Sequence, residues 1–528
     1  MSTVTMTSLF ADLNNWPGRL LEATDGATIV AKTATNFTFR YPASHDFANY
    51  LIVVQGTGFS YDGSEPIDGR MTQVRIFDST GAVVITFANL QTNPFSADFA
   101  QFYSNVFGSG NSDAGPGPDG KTAWAHLLSG NDIINGTAFN DNRGLVGLDF
   151  GNDTYNMGAG DDYVNGGMGN DTYNGGDGFD TLTFVETTFN EGAPAFRGAT
   201  FNIAQNRVLD PWGGTDVISG FERYEGSRFD DVYNGSSERD RFSGLRGRDT
   251  IDGGDNSFDS IGNLTDDHRD EVSYAGDYWQ GGFKGIRVNL ETSLVNGSIT
   301  GTVRDGFGNL DTVIDIERVS GTRYADTFVG SRTNNHFWGG EGKDTFNGAD
   351  GFDTLRMDRW FADTPIGNVS VDLSLATNQV LNDGFGNVEV ALNMEAVTAG
   401  SGNDTLKGNR FDNYIEGGQG ADIMTGGGGL DSFGWWETAQ LGQGDRVTDF
   451  NINQDRFEFE VAGFQNMTTT LSLVNGTAAT TVGLGTFVFN TVNDTLYWDA
   501  DGAGGAAALA VVQLNNISNL SASNFDLY

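Results

Sequence analysis

In four clusters along this chain, three-residue strand-like stretches alternate with glycine- and aspartate-rich stretches at a step of nine residues. Thr172-Tyr173-Asn174 and Thr345-Phe346-Asn347 show the strand-like stretch, a large apolar residue between two polar ones. Three residues are too few for a helix, and this alternation is typical of a strand whose middle side chain points inward. A fixed period indicates a repeated structural unit. We therefore predict short stacked strands, with two repeats forming each turn of a parallel coil.

The polar part of each repeat follows the pattern G-G-x-G-x-D, so glycine stands at positions 1, 2 and 4 and aspartate at position 6. Glycine permits positive φ and tight turns that direct carbonyl oxygens inward. Aspartate adds a carboxylate, and Ca²⁺ accepts six to eight such oxygens in loose geometry. Zinc prefers Cys and His, but the chain has no Cys and 4 His. The predicted ligand positions are Asp132, Asp141, Gly151, Asp153, Gly160, Asp162, Gly169, Asp171, Gly178, Asp180, Asp231, Asp240, Gly247, Asp249, Asp326, Asn335, Gly342, Asp344, Gly351, Asp353, Gly402, Asp404, Asn413, Gly420, Asp422, Gly429 and Asp431.

Some repeats depart from this pattern. Asn335 and Asn413 stand where aspartate is expected, which keeps an oxygen but loses the charge. After Asp249 the nine-residue step slips by one, to Asp259. We expect weaker or absent ions at these places.

The nonapeptides, recurring in phased clusters, resemble the RTX (repeats-in-toxin) repeats of bacterial type I-secreted proteins. The resemblance implies an all-β protein built of parallel β-roll modules that bind Ca²⁺ between their loops. It also implies export by the type I secretion apparatus, an uncleaved C-terminal signal, and an extracellular or cell-surface location. The N-terminal segment lacks the basic and apolar parts of a cleavable signal peptide.

The distribution of repeats predicts the domains. We expect a small antiparallel β-domain at 1–107, with strands near 37–41, 50–54 and 73–77 and a short helix within 90–107, then a linker at 108–127. Roll 1 covers 128–185. Strand inserts with rolls 2, 3 and 4 cover 186–275, 276–358 and 359–433, each expected to be an independent block. A β-rich cap with the export signal covers 434–528.

The same short sequence motif precedes each later cluster. A D-x-x-G turn, at Asp210, Asp305 or Asp383, lies twelve residues before a glutamate, which lies nine residues before the first Asp of the run. The glutamates Glu222, Glu317 and Glu395 therefore occupy the phase of the repeat aspartates. Either they ligate the first ion or they cap the end of the roll.

Charge limits the possible partners. The formal net charge is −41 and the pI about 4.1, so phosphates are repelled and nucleic acid is excluded as a partner. On the order of ten bound Ca²⁺ ions would cancel roughly half of this charge. No apolar run is long enough to span a bilayer.

The chain contains neither the H-E-x-x-H motif of zinc proteases nor the G-x-S-x-G motif of lipases. A glycosidase with paired carboxylates stays open, because acidic residues occur throughout the chain. The first hypothesis is a non-enzymatic, Ca²⁺-stabilised structural or interaction protein at the bacterial cell surface, of surface-layer, matrix or adhesion type. It would contact other copies of itself or a cell-surface polysaccharide. The alternative is a secreted enzyme acting on polysaccharide, with the rolls as scaffold.

Overall fold

The computed structural model describes residues 152–185, 195–254, 270–295, 297–358 and 367–528 in full, and the backbone of seven strands before residue 152. Within these residues the regular elements are strands and short 3₁₀ turns. The 3₁₀ turns are Ile203–Gln205, Asp277–Gln280, Thr438–Gln440, Val461–Gly463 and Ala522–Asn524. The chain forms two compact units, Met1–Asp255 and Asn256–Tyr528. The all-β prediction is confirmed.

The N-terminal strands form an antiparallel sheet in the order β2-β3-β4-β5-β6-β1. They are β1 (Thr3–Met6), β2 (Thr28–Lys32), β3 (Asn36–Arg40), β4 (Leu51–Asp62), β5 (Glu65–Phe77) and β6 (Val83–Ala88). The predicted strands near 37–41, 50–54 and 73–77 fall on β3, β4 and β5. Strand β7 (Ile133–Asn135) pairs in parallel with β1 and with the first roll strand, so this sheet runs into the roll. The helix expected within 90–107 and the linker lie outside the described residues.

The roll of the first unit has two parallel ladders. Thr172 pairs with Thr154 on one and Thr181 with Tyr163 on the other, so one turn takes 18 residues. The prediction of two repeats per turn is confirmed. The strands are β8 (Thr154–Ala159), β9 (Tyr163–Asn165), β10 (Thr172–Asp177), β11 (Thr181–Thr183), β12 (Thr200–Asn202), β13 (Arg207–Leu209), β14 (Thr215–Ser219), β15 (Arg223–Glu225), β16 (Val232–Asn234), β17 (Arg241–Ser243) and β18 (Thr250–Asp252).

The second unit repeats this arrangement over more turns. One ladder runs β19-β23-β25-β27-β31-β33-β35. The strands are β19 (Glu271–Ser273), β20 (Arg287–Val295), β21 (Ser298–Arg304), β22 (Leu310–Ile314), β23 (Arg318–Ser320), β24 (Thr327–Val329), β25 (His336–Trp338), β26 (Thr345–Asn347), β27 (Thr354–Met357), β28 (Val369–Asp372), β29 (Val380–Asp383), β30 (Val390–Leu392), β31 (Ala396–Ala399), β32 (Thr405–Lys407), β33 (Tyr414–Glu416), β34 (Ile423–Thr425) and β35 (Ser432–Trp435).

The inserts are three-stranded pieces, β12–β14, β20–β22 and β28–β30, that join one ladder without ending it. The first strand of each pairs in parallel with the roll strand that follows. On the opposite ladder β11 pairs directly with β15, and β27 with β31. The expectation of independent rolls is therefore wrong within each unit, because backbone hydrogen bonds run continuously past the insert. The domain boundaries themselves remain a prediction.

The C-terminal segment continues the roll and then closes it with a hairpin sheet. Strand β37 stacks on β35 and β42 on β37, while β36 stacks on β34. The strands are β36 (Arg446–Val447), β37 (Arg456–Phe459), β38 (Leu473–Asn475), β39 (Thr486–Asn490), β40 (Thr495–Asp499), β41 (Leu509–Gln513) and β42 (Phe525–Leu527). Phe459, Phe487 and Phe525 pack together beneath this sheet, with Phe459 and Phe487 rings 4.7 Å apart.

The core is a column formed by the middle residue of each strand. Tyr155 stacks on Tyr173 at 4.8 Å, and Phe328 stacks on Phe346 at 4.9 Å. These four side chains are at most 1% exposed. Their neighbours along each strand are less buried, as the alternation predicts. The column is one residue deep per strand, so each large side chain carries much of the local burial energy.

We predict that Phe346→Ala lowers the free energy of unfolding by about 3–5 kcal/mol, because Phe346 also contacts Phe337 and its removal leaves a cavity. Urea denaturation in saturating calcium measures this change. Val482→Ala is the control, since Val482 is 72% exposed, and it should change stability by less than about 0.5 kcal/mol. Equal effects of the two variants would contradict the central column.

Candidate metal centre

The position 6 residues form a ladder of their own along both edges of the roll. The Asp153 amide donates to Asp171 Oδ1 at 2.7 Å, and the Asp162 amide donates to Asp180 Oδ1 at 2.8 Å. The same contact recurs one turn apart for Asp231 to Asp249, Asp326 to Asp344, Asn335 to Asp353, Asp404 to Asp422 and Asn413 to Asp431. In each pair, one carboxylate oxygen of the later residue therefore accepts a hydrogen bond from the backbone amide of the residue one turn before it.

The second carboxylate oxygen is left without a partner in one class of loop. In the described residues, the Oδ2 atoms of Asp180, Asp344, Asp353, Asp404 and Asp422 are buried and accept no hydrogen bond. Their residues are at most 1% exposed. Buried carboxylate oxygens without a donor are costly unless a cation or proton balances them. We call these loops, which carry Gly or Ala at position 2, open loops.

Backbone conformation sets the shape of an open loop. Position 4 is glycine with φ of +148° at Gly178, +130° at Gly342 and +140° at Gly420. A side chain there would also clash, because the Gly402 carbonyl oxygen lies 1.4 Å from the place of a Gly420 Cβ. Position 1 is equally tight, since a Cβ on Gly417 would lie 2.3 Å from Asp422 Oδ2. The glycines thus hold backbone and carboxylate oxygens close together.

Other repeat aspartates share parts of this geometry. Position 2 has positive φ before Asp162, Asp249 and Asp431, at Gly158 (+109°), Leu245 (+64°) and Gly427 (+104°). Asp171 differs, because the Tyr173 hydroxyl donates to its Oδ2 at 3.0 Å. Positive φ also occurs at five other position 4 glycines, namely Gly160, Gly169, Gly351, Gly402 and Gly429. At Gly247, the Phe229 carbonyl oxygen leaves no room for a Cβ. Asp132, Asp141 and Gly151 lie outside the described residues, as does the slipped repeat at Asp259.

A second class of loop satisfies its position 6 residue internally. The Ser227 amide and hydroxyl donate to Asp231 at 2.7 and 2.9 Å, and Thr322 donates to Asp326 in the same way at 2.6 and 3.0 Å. Ser236 caps Asp240, Ser331 caps Asn335 and Asn409 caps Asn413. We call these the capped loops, and position 2 of each is Ser, Thr or Asn.

Some acidic side chains outside the nonapeptide repeats also accept hydrogen bonds from position 6 amides. The Asp171 amide donates to Asp216 Oδ1 and the Asp344 amide to Glu389 Oε1, each across 45 residues. At the C-terminal end, the amides of Asp422 and Asp431 donate to Asp445 and Asp455. The spacing from Asp210 and Asp383 to Asp216 and Glu389, six residues in both inserts, is the sequence signal that could have found the first two.

The entry glutamates lie in the aspartate phase, as expected. Glu222 Oε2 accepts from the Asp180 amide at 2.8 Å, and Glu395 Oε2 accepts from the Asp353 amide at 3.0 Å. Glu317 takes the same place beside Asp270. Each glutamate thus continues the ladder of the turn before it. Whether it also ligates an ion remains a prediction.

Burial and mutual repulsion shift the acidity of this ladder. Burial, reinforced by the charge of Glu395, raises the pKa of Asp353 to about 8. Burial, with Asp326 and Glu389 nearby, raises the pKa of Asp344 to about 9. Burial and the charge of Asp445 raise the pKa of Asp422 to about 7. The ladder therefore favours a bound positive charge at neutral pH.

The donor chemistry fits calcium. In the fully described ranges, no group of three or more Asp, Glu or His side chains is arranged to hold a metal. Backbone carbonyls must then complete the shell, and Ca²⁺ accepts that mixture of oxygens. Asp180, Asp344, Asp353, Asp404 and Asp422 would supply the carboxylates. A bound ion would supply the charge that balances them.

Comparison with known families agrees with this chemistry. The family of the RTX calcium-binding nonapeptide repeat matches residues 128–142, 149–182, 225–257, 320–355 and 398–433. The chain carries RTX calcium-binding repeats. The matched segments contain all five open loops and all five capped loops of the described residues, and leave out the inserts and the C-terminal sheet. The likeness to RTX repeats thus covers the rolls and no other part of the chain.

Comparison with solved structures gives a weaker likeness. The chain is similar to the crystal structure of extracellular lipase LipA from Serratia marcescens at 11% identity, with a TM-score of 0.21, covering 95% of this chain and 86% of that chain. The curated proteins give no match to the chain. Among the described residues, no helix has the length and apolar character needed to cross a membrane.

The raised pKa values predict how the calcium-free rolls respond to pH. Because the folded pKa values of about 6 to 9 exceed the ordinary 3.8, protons bind the folded form more tightly than the unfolded chain. This stabilisation is complete below about pH 4 and is lost progressively as pH rises from about 4 through the folded pKa values of about 6 to 9. Circular dichroism of calcium-stripped protein should show more structure at pH 5 than at pH 9. A more structured state at pH 9 would contradict this carboxylate origin.

The tight glycine at position 1 gives a second prediction. Gly417→Ala places a methyl group against Asp422 Oδ2, so it should weaken calcium binding at that loop at least tenfold, about 1.4 kcal/mol. Isothermal titration calorimetry measures the loss. Gly505→Ala is the matched control, since nothing lies within 4 Å of its Cβ place, and its titration should equal the wild type's. Unchanged binding in Gly417→Ala would place the ion elsewhere.

Proposed function

We propose that this chain is a secreted calcium-binding protein with a structural or interaction role at the bacterial cell surface. It leaves the cell through a type I secretion apparatus, folds as extracellular calcium loads the open loops, and then contacts another copy of itself or a cell-surface polysaccharide. Calcium sites of moderate affinity suit this location, because extracellular calcium is far higher than cytosolic calcium.

The observation that carries this proposal is the exposed aromatic surface at the inserts. Around the second insert, Trp279 is 81% exposed, Phe283 65% and Tyr278 39%. The Tyr278 and Trp279 rings lie 5.3 Å apart, and the Arg323 guanidinium lies 4.3 Å from the Tyr278 centroid. Exposed apolar clusters rimmed by polar groups mark interaction sites.

The same feature recurs at the first insert, where Phe196 is 66% exposed and the Arg197 guanidinium lies 5.7 Å from its ring. Lys284 lies over Phe283 in the matching way, at 5.0 Å. Both aromatic residues are held by backbone contacts to the D-x-x-G turn, through the Phe196 amide to the Pro211 carbonyl and the Phe283 amide to the Gly306 carbonyl. The same exposed aromatic residue beside a cation, held by the D-x-x-G turn in both inserts, favours a role in contacts with a partner.

Paired aromatic substitutions test the role of this surface. Trp279→Ala with Phe283→Ala should weaken calcium-dependent assembly or polysaccharide binding at least tenfold, since exposed aromatic anchors dominate interface energy. Electron microscopy of the protein with calcium and with EGTA measures assembly, and co-sedimentation with cell-wall polysaccharide measures binding.

Val492→Ala is the control, since Val492 is 83% exposed and lies in the turn between β39 and β40, outside the three inserts. The calcium-dependent circular dichroism of both variants should equal that of the wild type. If the paired variant assembles and binds like the control, the insert surface is not the contact site.

A further inference from the structure

We propose that position 2 of each repeat decides whether a loop takes up calcium, and that the capped loops at Asp231, Asp240, Asp326, Asn335 and Asn413 fold without it. This inference rests on the proposed calcium-binding function and names which loops carry it. It divides a set of repeats, all matched by one family, into two chemical classes.

The hydrogen bonds of a capped loop occupy the oxygens that an ion would need. The Thr322 amide donates to Asp326 Oδ2 at 2.6 Å, while the Ile286 amide donates to Oδ1 at 2.6 Å. The Thr322 hydroxyl adds a third donor to Oδ1 at 3.0 Å. A hydrogen bonded to a carboxylate oxygen and a cation compete for the same lone pairs. Asp326 is therefore satisfied without a metal, whereas Asp344 one turn later keeps Oδ2 unpartnered.

Backbone conformation separates the classes fully at position 4, and at position 2 in four of the five open loops, Gly400 being the exception. Gly176, Gly340, Ala349 and Gly418, at position 2 of open loops, have φ between +76° and +112°. No position 2 residue of the capped loops has positive φ. At position 4, all five open loops have glycine with positive φ. The five capped loops have Phe229, Glu238, Tyr324, Thr333 and Phe411 there. A left-handed residue turns its amide and carbonyl to the opposite side, so these four open loops direct the position 2 amide differently from the capped loops, in which it donates to the position 6 side chain.

The placement of asparagine supports the division independently. Asparagine at position 6 occurs in the described residues at Asn335 and Asn413, both in capped loops. Its Oδ1 accepts the position 2 amide at 2.7 Å in each case, as an aspartate oxygen does. Every open loop carries aspartate, whose charge a calcium ion requires. The neutral substitution thus stands only where no ion is held.

Fixed positive charge accompanies the capped loops. Four of the five capped loops in the described part of the chain carry arginine at position 3, namely Arg228, Arg323, Arg332 and Arg410. Arg228 and Arg410 lie over the position 4 rings Phe229 and Phe411 at 5.0 and 4.7 Å. Arg323 and Arg332 form ion pairs with Glu341 and Glu291. These guanidinium groups offset local negative charge without calcium.

Isosteric substitutions in the full chain test the proposal by counting ions. Asp326→Asn should bind as many calcium ions as the wild type, because the chain already uses asparagine in this place at Asn335. Asp422→Asn should bind at least one fewer, because it removes an open carboxylate. Native mass spectrometry in calcium, with calorimetric stoichiometry beside it, gives both counts.

The outcomes are distinguishable. Loss of ions in Asp326→Asn equal to that in Asp422→Asn overturns the division while leaving the calcium-binding function intact. A full count in both variants also overturns the division. A wild-type chain that binds no calcium overturns the proposed function itself, and this inference with it.

Conversion of a capped loop provides a second, independent test. Thr322→Gly with Tyr324→Gly changes the loop G-T-R-Y-A-D into the open pattern G-G-R-G-A-D. The double variant should bind one more calcium ion than the wild type by the same measurement. A count that stays the same or falls shows that positions 2 and 4 do not decide calcium uptake.

Discussion

The hydrogen bond from one position 6 amide to the position 6 side chain one turn later is the contact on which the roll depends. It fixes the 18-residue register on both edges, and it places each carboxylate against the backbone of the neighbouring turn. The same contact stacks like charges in a buried row, which repel one another and raise their own pKa values. A scaffold built this way needs a positive charge from outside, and calcium supplies it.

The inserts follow from the same contact. Each insert begins by donating an amide to the first aspartate of the next roll, as Ala199 does to Asp231 and Val369 to Asp404. The first and third inserts end by offering Asp216 and Glu389 to the previous turn. An insert therefore takes the place of a turn on one edge, while the opposite ladder passes beneath it unbroken. This arrangement lets the chain display exposed aromatic side chains without interrupting the scaffold.

The roll contains two kinds of loop that differ in how the position 6 side chain is balanced. Open loops concentrate unbalanced carboxylate, so their order depends on the ion. Capped loops satisfy the same position with an amide and, in most cases, a hydroxyl, at hydrogen-bond distances of 2.6 to 3.2 Å. Short-range capping of this kind is the usual role of Ser, Thr and Asn beside a turn.

Much of the local structure could be predicted from the sequence, because the repeat relates residues at constant spacing. The nine-residue step placed Tyr173 and Phe346 in the core, aspartates on the edges and glycines in the turns, and the composition of the loops indicated calcium. The tertiary structure alone decided the rest. That Asp216, Glu389, Asp445 and Asp455 join the ladder depends on contacts across 45, 45, 23 and 24 residues. A separation of 45 residues is a multiple of nine, so Asp216 and Glu389 keep the phase of the repeat, whereas separations of 23 and 24 residues do not, and no period reveals Asp445 and Asp455. Likewise, the Ile286 amide that donates to Asp326 comes from an insert 40 residues away, and no spacing within the repeat predicts that contact. The residues at positions 2 and 4 differ in the sequence, but only the φ values show how they turn the backbone toward or away from the carboxylate.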